Sequence, residues 1–174
     1  MILCGIDPGL HGAVAFLYDD HAEVYSIPIE EVDTGKKTKK GKPKIKEVYK
    51  EQELLSLLSK VKPDFVMIES QHYRPKDHAY ILSKLMYGYA LVKGICMGLG
   101  YDVRTITSAA WKKKIGLPTG ATKENSLVLA WELFPNLSDQ LKLQQDHDKA
   151  EALLIAYYGK ILAEKAGKPK RKRK

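Results

Sequence analysis

Two short apolar segments each end in a carboxylate, and this limits the kind of sheet that can contain them. "ILCGID" covers residues 2–7 and ends at Asp7, and "DFVMIE" covers residues 64–69 and ends at Glu69. Apolar runs of this length that are rich in strand-forming residues predict buried strands. A carboxylate at the end of a buried strand is unfavourable unless it faces a cation or hydrogen-bond donors. Both acids therefore point to a ligand that needs negative charge, although one such Asp alone is also typical of a turn.

The order of the predicted elements indicates a mixed α/β sheet. Three strands, "ILCGID", "AVAFLYD" and "EVYSIPI", form an antiparallel meander, and a lysine-rich loop or extended hairpin tip follows at 34–46. A predicted helix over 50–62 then leads into the strand that ends at Glu69. A strand that follows a crossover helix lies parallel to its neighbour, with a right-handed connection. If that neighbour is the first strand, Asp7 and Glu69 meet at the carboxyl edge, where open α/β sheets place their sites.

The second half of the chain predicts helices around one more strand. The elements are a long apolar helix over 78–98, a strand over 101–107, a short helix capped by Ser108, a helix from 123 to 134 capped by Thr122, and a last helix over 146–165. The fold class is therefore α/β, with a five-stranded sheet of three antiparallel and then two parallel strands, flanked by helices. We expect one domain over 1–165 and a disordered basic tail over 166–174.

The charge is strongly basic and clustered. The chain of 174 residues has 29 Lys and Arg against 21 Asp and Glu, a formal net charge of +8. Much of the excess lies in "TGKKTKKGKPKIK" at 34–46, "WKKKIG" at 111–116 and "KPKRKRK" at 168–174. Such clusters attract polyanions, above all nucleic acid. Solvated surface lysines are the alternative, and the tail is equally consistent with a nuclear signal or a nonspecific DNA clamp.

The apolar runs and the two cysteines predict an intracellular protein. No apolar run approaches the roughly 20 residues that span a bilayer, and "MILCGIDPG" lacks the features of a signal peptide. Cys4 and Cys96 both lie in apolar stretches, which predicts buried free thiols. We expect a cytoplasmic, nucleoid-associated protein of bacterial or phage origin, with no membrane partner.

The last predicted helix carries a third group of polar residues. At about 100° per residue, its core stripe consists of Ala150, Leu153, Leu154, Tyr157 and Ile161. His147 and Glu151 fall beside this stripe, and Asp148 lies farther round the helix. An acid at position 148 is explained by the helix dipole, because negative charge is favourable at the start of a helix. The dipole explains Glu151 less well, because that residue lies within the apolar arc.

The three acidic segments together resemble a known family. "GIDPGLHG", "DFVMIES" and "DKAEALLIA" resemble the three acidic motifs of the RuvC-type Holliday junction resolvases, and the region between them is similar to phage and organellar relatives. The resemblance covers roughly residues 1–160. It implies a ribonuclease-H-like fold, a homodimer, and cleavage of four-way DNA junctions with magnesium.

The resemblance also assigns candidate site residues. Asp7, Glu69, Asp148 and Glu151 match the four metal-binding acids, which implies two Mg²⁺ ions per active site, with Mn²⁺ as a substitute. Some relatives have His in the last motif, so His147 joins the catalytic candidates and either it or Asp148 is the ligand. Two departures are visible: Glu151 stands where bacterial members usually have Asp, and the 34–46 loop is longer than theirs.

Candidate DNA contacts lie beside these acids. Lys112 and Lys123 are eleven residues apart, a spacing that resembles a pair of DNA-contacting basic residues in the bacterial members, and Lys113 adjoins the first of them. In "SQHYRP", Tyr73 and Arg74 are expected at the mouth of the site, with Tyr73 stacking on unpaired bases. Core packing is the alternative for Tyr73, and solvation is the alternative for each lysine.

Other functions are compatible with parts of this pattern. A ribonuclease-H-like nuclease acting on other branched DNA or on RNA–DNA hybrid needs the same acids. "GIDPG" also resembles the phosphate-binding turn of actin-type ATPases, but those proteins need a second similar domain. A DNA-binding protein without catalysis is disfavoured by the intact acids. The apolar surface of the helix at 78–98 has two explanations: part of it forms a dimer contact, or it is buried within the monomer.

Overall fold

The computed structural model describes residues 1–71, 78–142 and 146–166. Its strands are β1 (Leu3–Asp7), β2 (Ala13–Leu17), β3 (Ala22–Ser26), β4 (Ile29–Lys37), β5 (Pro43–Tyr49), β6 (Phe65–Glu69) and β7 (Val103–Ile106). Its helices are α1 (Glu51–Ser59), α2 (Ala79–Gly98), α3 (Ser108–Lys114), α4 (Lys123–Leu133), a 3-10 helix (Pro135–Gln140) and α5 (His147–Ala166).

The predicted five-stranded mixed sheet is confirmed. Its strand order is β3-β2-β1-β6-β7. The first three strands are antiparallel, β6 runs parallel to β1, and β7 runs parallel to β6. Ile6 is paired with Ile68 across β1 and β6. The next residues along these strands, Asp7 and Glu69, therefore lie side by side at the carboxyl edge.

Strand alternation places both acids on the face of the sheet covered by α5. Leu3 and Met67 belong to the core that contains the buried residues of α5, whereas Cys4 and Ile6 face the core formed with α1 and α2. Side chains two residues apart on a strand point to the same face. Asp7 is in phase with Leu3, and Glu69 is in phase with Met67, so both acids point towards α5.

The absence of a side chain at Gly5 lets α5 lie directly on β1. A Cβ atom at this position would be 2.3 Å from the Ala152 carbonyl oxygen and 2.3 Å from the Ala156 backbone nitrogen. The helix backbone thus occupies the space of a side chain. Since α5 begins at His147, this contact fixes its first turn near the strand ends that carry Asp7 and Glu69.

The burial of α5 is broader than the predicted stripe. Ala150, Leu153 and Leu154 are buried as expected, but Tyr157 and Ile161 are only half-buried. The buried set extends to Ala152, Ile155, Ala156 and Tyr158, because the helix is covered by the sheet on one side and by α4 on another. Glu151 is also buried, with 9% of its surface exposed, as its place in the apolar arc predicts.

The lysine-rich segment is an ordered strand pair. β4 and β5 form a separate two-stranded antiparallel sheet, so the hairpin alternative for residues 34–46 is correct and the strands extend beyond that range. The third predicted strand was too long, since β3 ends at Ser26 and Pro28 separates it from β4. Proline has no backbone N–H to donate to a ladder, which explains the break.

Two local predictions about helix starts have different outcomes. Thr122 caps α4, and it forms a capping box with Asn125. Ser108 does not cap α3; the cap is Thr107, whose hydroxyl accepts a hydrogen bond from the Ala110 backbone N–H. The 3-10 helix was not predicted at all.

Several predictions fall outside the described residues. Tyr73 and Arg74 lie in the gap at 72–77, and most of the predicted tail lies beyond position 166. The division into a domain at 1–165 and a tail stays a prediction. Cys4 and Cys96 are buried free thiols, as expected. Within the described ranges, none of the helices is long and apolar enough to cross a bilayer.

Gly5→Ala should destabilise the fold, because the added methyl group collides with α5 backbone that cannot move independently. Overpacking of this kind costs about 1–3 kcal/mol, measured as the free energy of unfolding in urea. Gly98→Ala is the matched control: Gly98 is the last residue of α2 and has open space around its Cβ position, so the substitution should leave the free energy of unfolding within about 0.5 kcal/mol of wild type. Equal effects of the two substitutions would contradict the close α5–β1 contact.

Candidate active site

A tight turn holds the Asp7 carboxylate at the sheet edge. Asp7 Oδ1 accepts a hydrogen bond of 3.2 Å from the Gly9 backbone N–H, and the Gly12 N–H donates to the Gly9 carbonyl at 2.9 Å. A Cβ atom at Gly12 would lie 2.1 Å from the Asp7 carbonyl oxygen, so only glycine fits there. Gly9 has room for a Cβ atom. Of the two glycines expected to permit this turn, the backbone requires Gly12.

Glu69 is oriented by a buried tryptophan. Trp111 is fully buried, and its Nε1–H donates to Glu69 Oε2 at 2.7 Å. The Ser108 side chain also hydrogen-bonds to Glu69. Sequence analysis missed both roles, because Ser108 was assigned to a helix cap and "WKKKIG" drew attention only to its lysines. A single large aromatic residue beside a basic cluster was the available signal.

Glu151 connects three helices. Its Oε1 accepts hydrogen bonds from Lys112 Nζ of α3 at 2.6 Å and from Ser126 Oγ of α4 at 3.2 Å. The ion pair with Lys112 is largely shielded from solvent, with 20% of the lysine side chain and 11% of the glutamate side chain exposed. One oxygen of the buried carboxylate therefore has two protein donors. Ser126 is a second residue that the sequence patterns did not reveal.

A second cluster lies at the start of α5. His147 Nε2 is 2.8 Å from Asp148 Oδ1, and Lys123 Nζ contacts the same histidine nitrogen. Lys123 Nζ is also 3.9 Å from Asp148 Oδ1. Lys123 and Lys112 thus both lie next to candidate acids, whereas Lys113 is exposed on α3.

Burial and neighbouring carboxylates raise the pKa values of Asp7, Glu69 and Asp148. The pKa of Asp7 is raised from 3.8 to about 7, first by burial and then by the charges of Glu69, Asp148 and Glu151. Burial likewise raises the pKa of Glu69 and of Asp148, and the charge of Glu151 adds to both effects. The four acids from β1, β6 and α5 therefore share one electrostatic environment at this edge.

The donor set fits a hard divalent cation. Carboxylate oxygens are the ligands that Mg²⁺ and Mn²⁺ prefer, and a cation offsets the repulsion that raises the pKa of Asp7. As the side chains are placed, no group of three or more His, Cys, Asp or Glu residues in the described part of the chain has the arrangement of a metal site. Glu69 and Glu151 instead face Trp111 and Lys112.

In metal-free buffer, Asp7→Asn should stabilise the protein at high pH. The folded-state pKa of about 7 exceeds the unfolded value of 3.8, so the folded state holds its proton more tightly. The free energy of unfolding of the wild type therefore falls as pH rises from about 4 to 7, whereas Asn has no proton to lose. At pH 8 in EDTA we expect the variant to be more stable by about 2–4 kcal/mol, with no difference below pH 4.

The matched control for this experiment is Asp20→Asn. Asp20 is 86% exposed, and its neighbour His21 lowers its pKa. The Asp20→Asn substitution should therefore give no stabilisation at pH 8. If the difference in free energy of unfolding between Asp7→Asn and wild type did not change with pH, the electrostatic coupling of the acids would be contradicted.

Comparisons with known proteins agree with this architecture. No family model matches the chain. Over 63 residues, 36% of this chain, it is 38% identical to the chloroplastic Holliday junction resolvase MOC1 of Chlamydomonas reinhardtii. That stretch is 7% of the MOC1 sequence, so the chain spans only a small part of this relative.

Two solved structures of Thermus thermophilus RuvC match nearly the whole chain. RuvC in complex with a Holliday junction substrate has a TM-score of 0.57 and 14% identity, over 95% of this chain and 96% of that chain. A second RuvC structure has a TM-score of 0.55 and 18% identity, over 95% and 97%. Identities this low show a shared fold alone. The chain has the ribonuclease-H-like fold of RuvC, and the resemblance to the RuvC-type resolvases that its three acidic motifs indicate is confirmed.

Proposed function

We propose that this chain is a structure-selective endonuclease, a crossover junction endodeoxyribonuclease that resolves four-way (Holliday) DNA junctions by paired symmetric nicks. The observation that carries the proposal is the convergence of Asp7, Glu69, Asp148 and Glu151 at one sheet edge, where the last three raise the pKa of the first. The similar proteins support the choice of substrate: one is named a Holliday junction resolvase, and the other is described in complex with a junction.

The reaction is phosphodiester hydrolysis by in-line attack of water. Asp7, Glu69, Glu151 and either Asp148 or His147 would hold two Mg²⁺ ions, or Mn²⁺ in their place. Bound metal supplies Lewis-acid activation of the water and stabilises charge on the leaving oxygen. Asp7 lies at the centre of the acids and is the candidate for the shared ligand.

The surrounding side chains keep these ligands in position and add positive charge. Trp111 holds Glu69, and Ser126 holds Glu151. Lys112 and Lys123 lie beside the acids, where an ammonium group can offset the charge that grows on a phosphate in the transition state. Lys113, Tyr73 and Arg74 are also proposed to contact DNA.

We further propose a homodimer, because two symmetric nicks need two sites related by two-fold symmetry. The outward face of α2 supports this. Met86 and Met97 are 39% and 60% exposed, and the exposed small residues Ala90 and Gly94 lie between them on the same side of the helix. An apolar helix face with small residues at its centre allows close approach of a second copy.

A ribonuclease-H-like nuclease for RNA–DNA hybrid or other branched DNA is the second candidate, because the same acids serve it. The cellular compartment also has two alternatives. The sequence predicts a cytoplasmic bacterial or phage protein, whereas the name of the MOC1 relative favours an organellar origin.

The decisive experiment incubates the chain and Mg²⁺ with a mobile four-way junction, a plain duplex and an RNA–DNA hybrid. We expect paired, religatable nicks in the junction alone, because a dimer presents two sites to a two-fold-symmetric substrate. Asp7→Asn should abolish cleavage and leave junction binding within about threefold of wild type, since it removes a ligand and not a DNA contact. Gel analysis of end-labelled strands measures both effects.

Asp20→Asn, on the exposed β2–β3 turn, is the control and should cut at the wild-type rate. Near-normal cleavage by Asp7→Asn would remove Asp7 from the chemistry. Preferential cutting of the hybrid would replace the junction with the second candidate substrate. Single unpaired nicks would contradict the dimer.

Trp111→Phe should slow cleavage about 10- to 100-fold, the usual effect of losing a partner that orients a metal ligand. Phenylalanine preserves most of the packing but cannot donate to Glu69 Oε2. Single-turnover rates with saturating junction would isolate this effect from binding. Trp131→Phe is the matched control, because Trp131 Nε1 donates to the Leu141 carbonyl, away from the acids. Equal rates for the two variants would show that the Trp111 hydrogen bond does not matter for catalysis.

A further inference from the structure

The β4–β5 hairpin is attached to the candidate active site at its base. The buried Tyr49 hydroxyl donates to the Pro8 carbonyl at 3.4 Å, and His11 Nε2 is 3.2 Å from Glu47 Oε2. Pro8 and His11 belong to the turn that directly follows Asp7. Gly88 of α2 packs against the same tyrosine, because a Cβ there would lie 2.0 Å from the Tyr49 hydroxyl oxygen. The hairpin therefore has a fixed position relative to both Asp7 and α2.

Strand register places two lysines of the hairpin on the same face. Val32 pairs with Lys46, and Thr34 hydrogen-bonds to the Lys44 carbonyl, so the side chains of Lys44 and Lys46 point to the same side. Lys36 lines the same hollow as these two lysines. The three lysines together form a basic strip along the hairpin.

This basic strip lines a groove against the start of α2. One hollow of about 590 Å³ is bounded by Lys36, Lys44, Lys46 and Tyr80, among others. An adjoining hollow of about 450 Å³ shares Lys46 and Tyr80 and adds Lys84, Tyr87 and Leu10. We call the two together the hairpin groove. Leu10 and Tyr49 both line this hollow, and Tyr49 hydrogen-bonds to Pro8, so the groove passes beside the turn that follows Asp7.

The most exposed aromatic side chain of the groove has a lysine beside it. Tyr80 is 66% exposed, and Lys84 Nζ lies 4.9 Å from the centre of its ring. Three acids line the groove, and each has a protein partner: Glu47 contacts His11, Glu51 accepts a hydrogen bond from Tyr87, and Asp33 accepts one from the Gly35 backbone N–H. What remains available to a ligand is a row of ammonium groups and an aromatic ring.

We propose that the hairpin groove binds a strand of the DNA substrate, with Lys36, Lys44 and Lys46 on its phosphates and an unpaired base stacked on Tyr80. A positively charged groove with an aromatic platform is the arrangement that tracks single-stranded nucleic acid. An acidic protein would use the lysines but would gain little from the tyrosine ring. The proposal rests on DNA being the substrate, and it gives the junction strand a path beside the turn that follows Asp7.

The test compares two triple variants in EDTA, where binding is measured without cleavage. The groove variant is Lys36→Gln/Lys44→Gln/Lys46→Gln, and the control is Lys60→Gln/Lys62→Gln/Lys160→Gln. Each removes three charges from the formal +8. Two of the control lysines are placed away from the groove: Lys60 hydrogen-bonds to Tyr25, and Lys160 lines a separate hollow beside Tyr157.

Affinity for a fluorescent four-way junction is measured from 50 to 300 mM salt. Loss of three phosphate contacts should weaken binding by the groove variant about 100-fold near 0.1 M salt and reduce the slope of log K against log[salt] by about 2–3. The control should stay within about threefold of wild type with an unchanged slope. Equal affinities of the two variants would overturn the proposal and leave the basic strip to another partner, such as an acidic protein.

Tyr80 is tested separately, since its exposed ring is not needed for folding. Tyr80→Ala should weaken junction binding about 10-fold, whereas Tyr80→Phe should preserve it because stacking needs only the ring. Equal binding by these two variants would overturn the stacking contact. Photocrosslinking of a junction that carries 5-iodouracil should recover the peptide that contains Tyr80 in the wild type.

These measurements are independent of the proposed catalysis. If the wild type cuts junctions while the groove and control variants bind equally, the groove inference fails and the proposed function stands. If the wild type cuts no junction while the groove variant alone loses affinity and salt dependence, the groove inference stands and the proposed function fails.

Discussion

The contact between α5 and β1 at Gly5 determines where the candidate site can form. A helix that lies directly on a strand has no side-chain layer between them, so its rotation and height are fixed by backbone atoms. Asp7 is two residues after Gly5, and Glu151 is one residue before Ala152, which contacts that glycine. Acids on separate elements are therefore brought to one edge by a constraint that involves none of their own side chains.

Bringing these acids together has an electrostatic cost, and the surrounding residues are placed to reduce it. Burial and mutual repulsion raise the pKa of Asp7 to about 7. Lys112, Trp111 and Ser126 each donate to one of the carboxylates. Buried carboxylates that lack such partners would be protonated or would expel one another from the site. The site is thus a compromise in which stability is lost at neutral pH while several acids are held at one edge of the sheet.

The sequence predicted the acids better than their partners, and the reason is the range of the interactions. Asp7 and Glu69 follow from strand ends and a parallel crossover, both of which are local patterns. Glu151 follows from helical periodicity. Trp111 and Ser126 could not be predicted, because their partners are 42 and 25 residues away and no local pattern encodes those distances. Ser108 was assigned to a cap for the same reason.

The distribution of lysines links the acidic edge to the rest of a basic molecule. Lys112 and Lys123 lie among the acids, whereas Lys36, Lys44 and Lys46 line the hairpin groove that Leu10 also lines. A polyanion that approached the acids alone would be repelled, since like charges at short range in a partly buried site are weakly screened. If a nucleic-acid strand is the ligand, as we propose, cations along the groove would lower that barrier before the strand reaches the acids. A basic hairpin fixed to the Asp7 turn would then serve to present a polyanion to carboxylates that otherwise repel it.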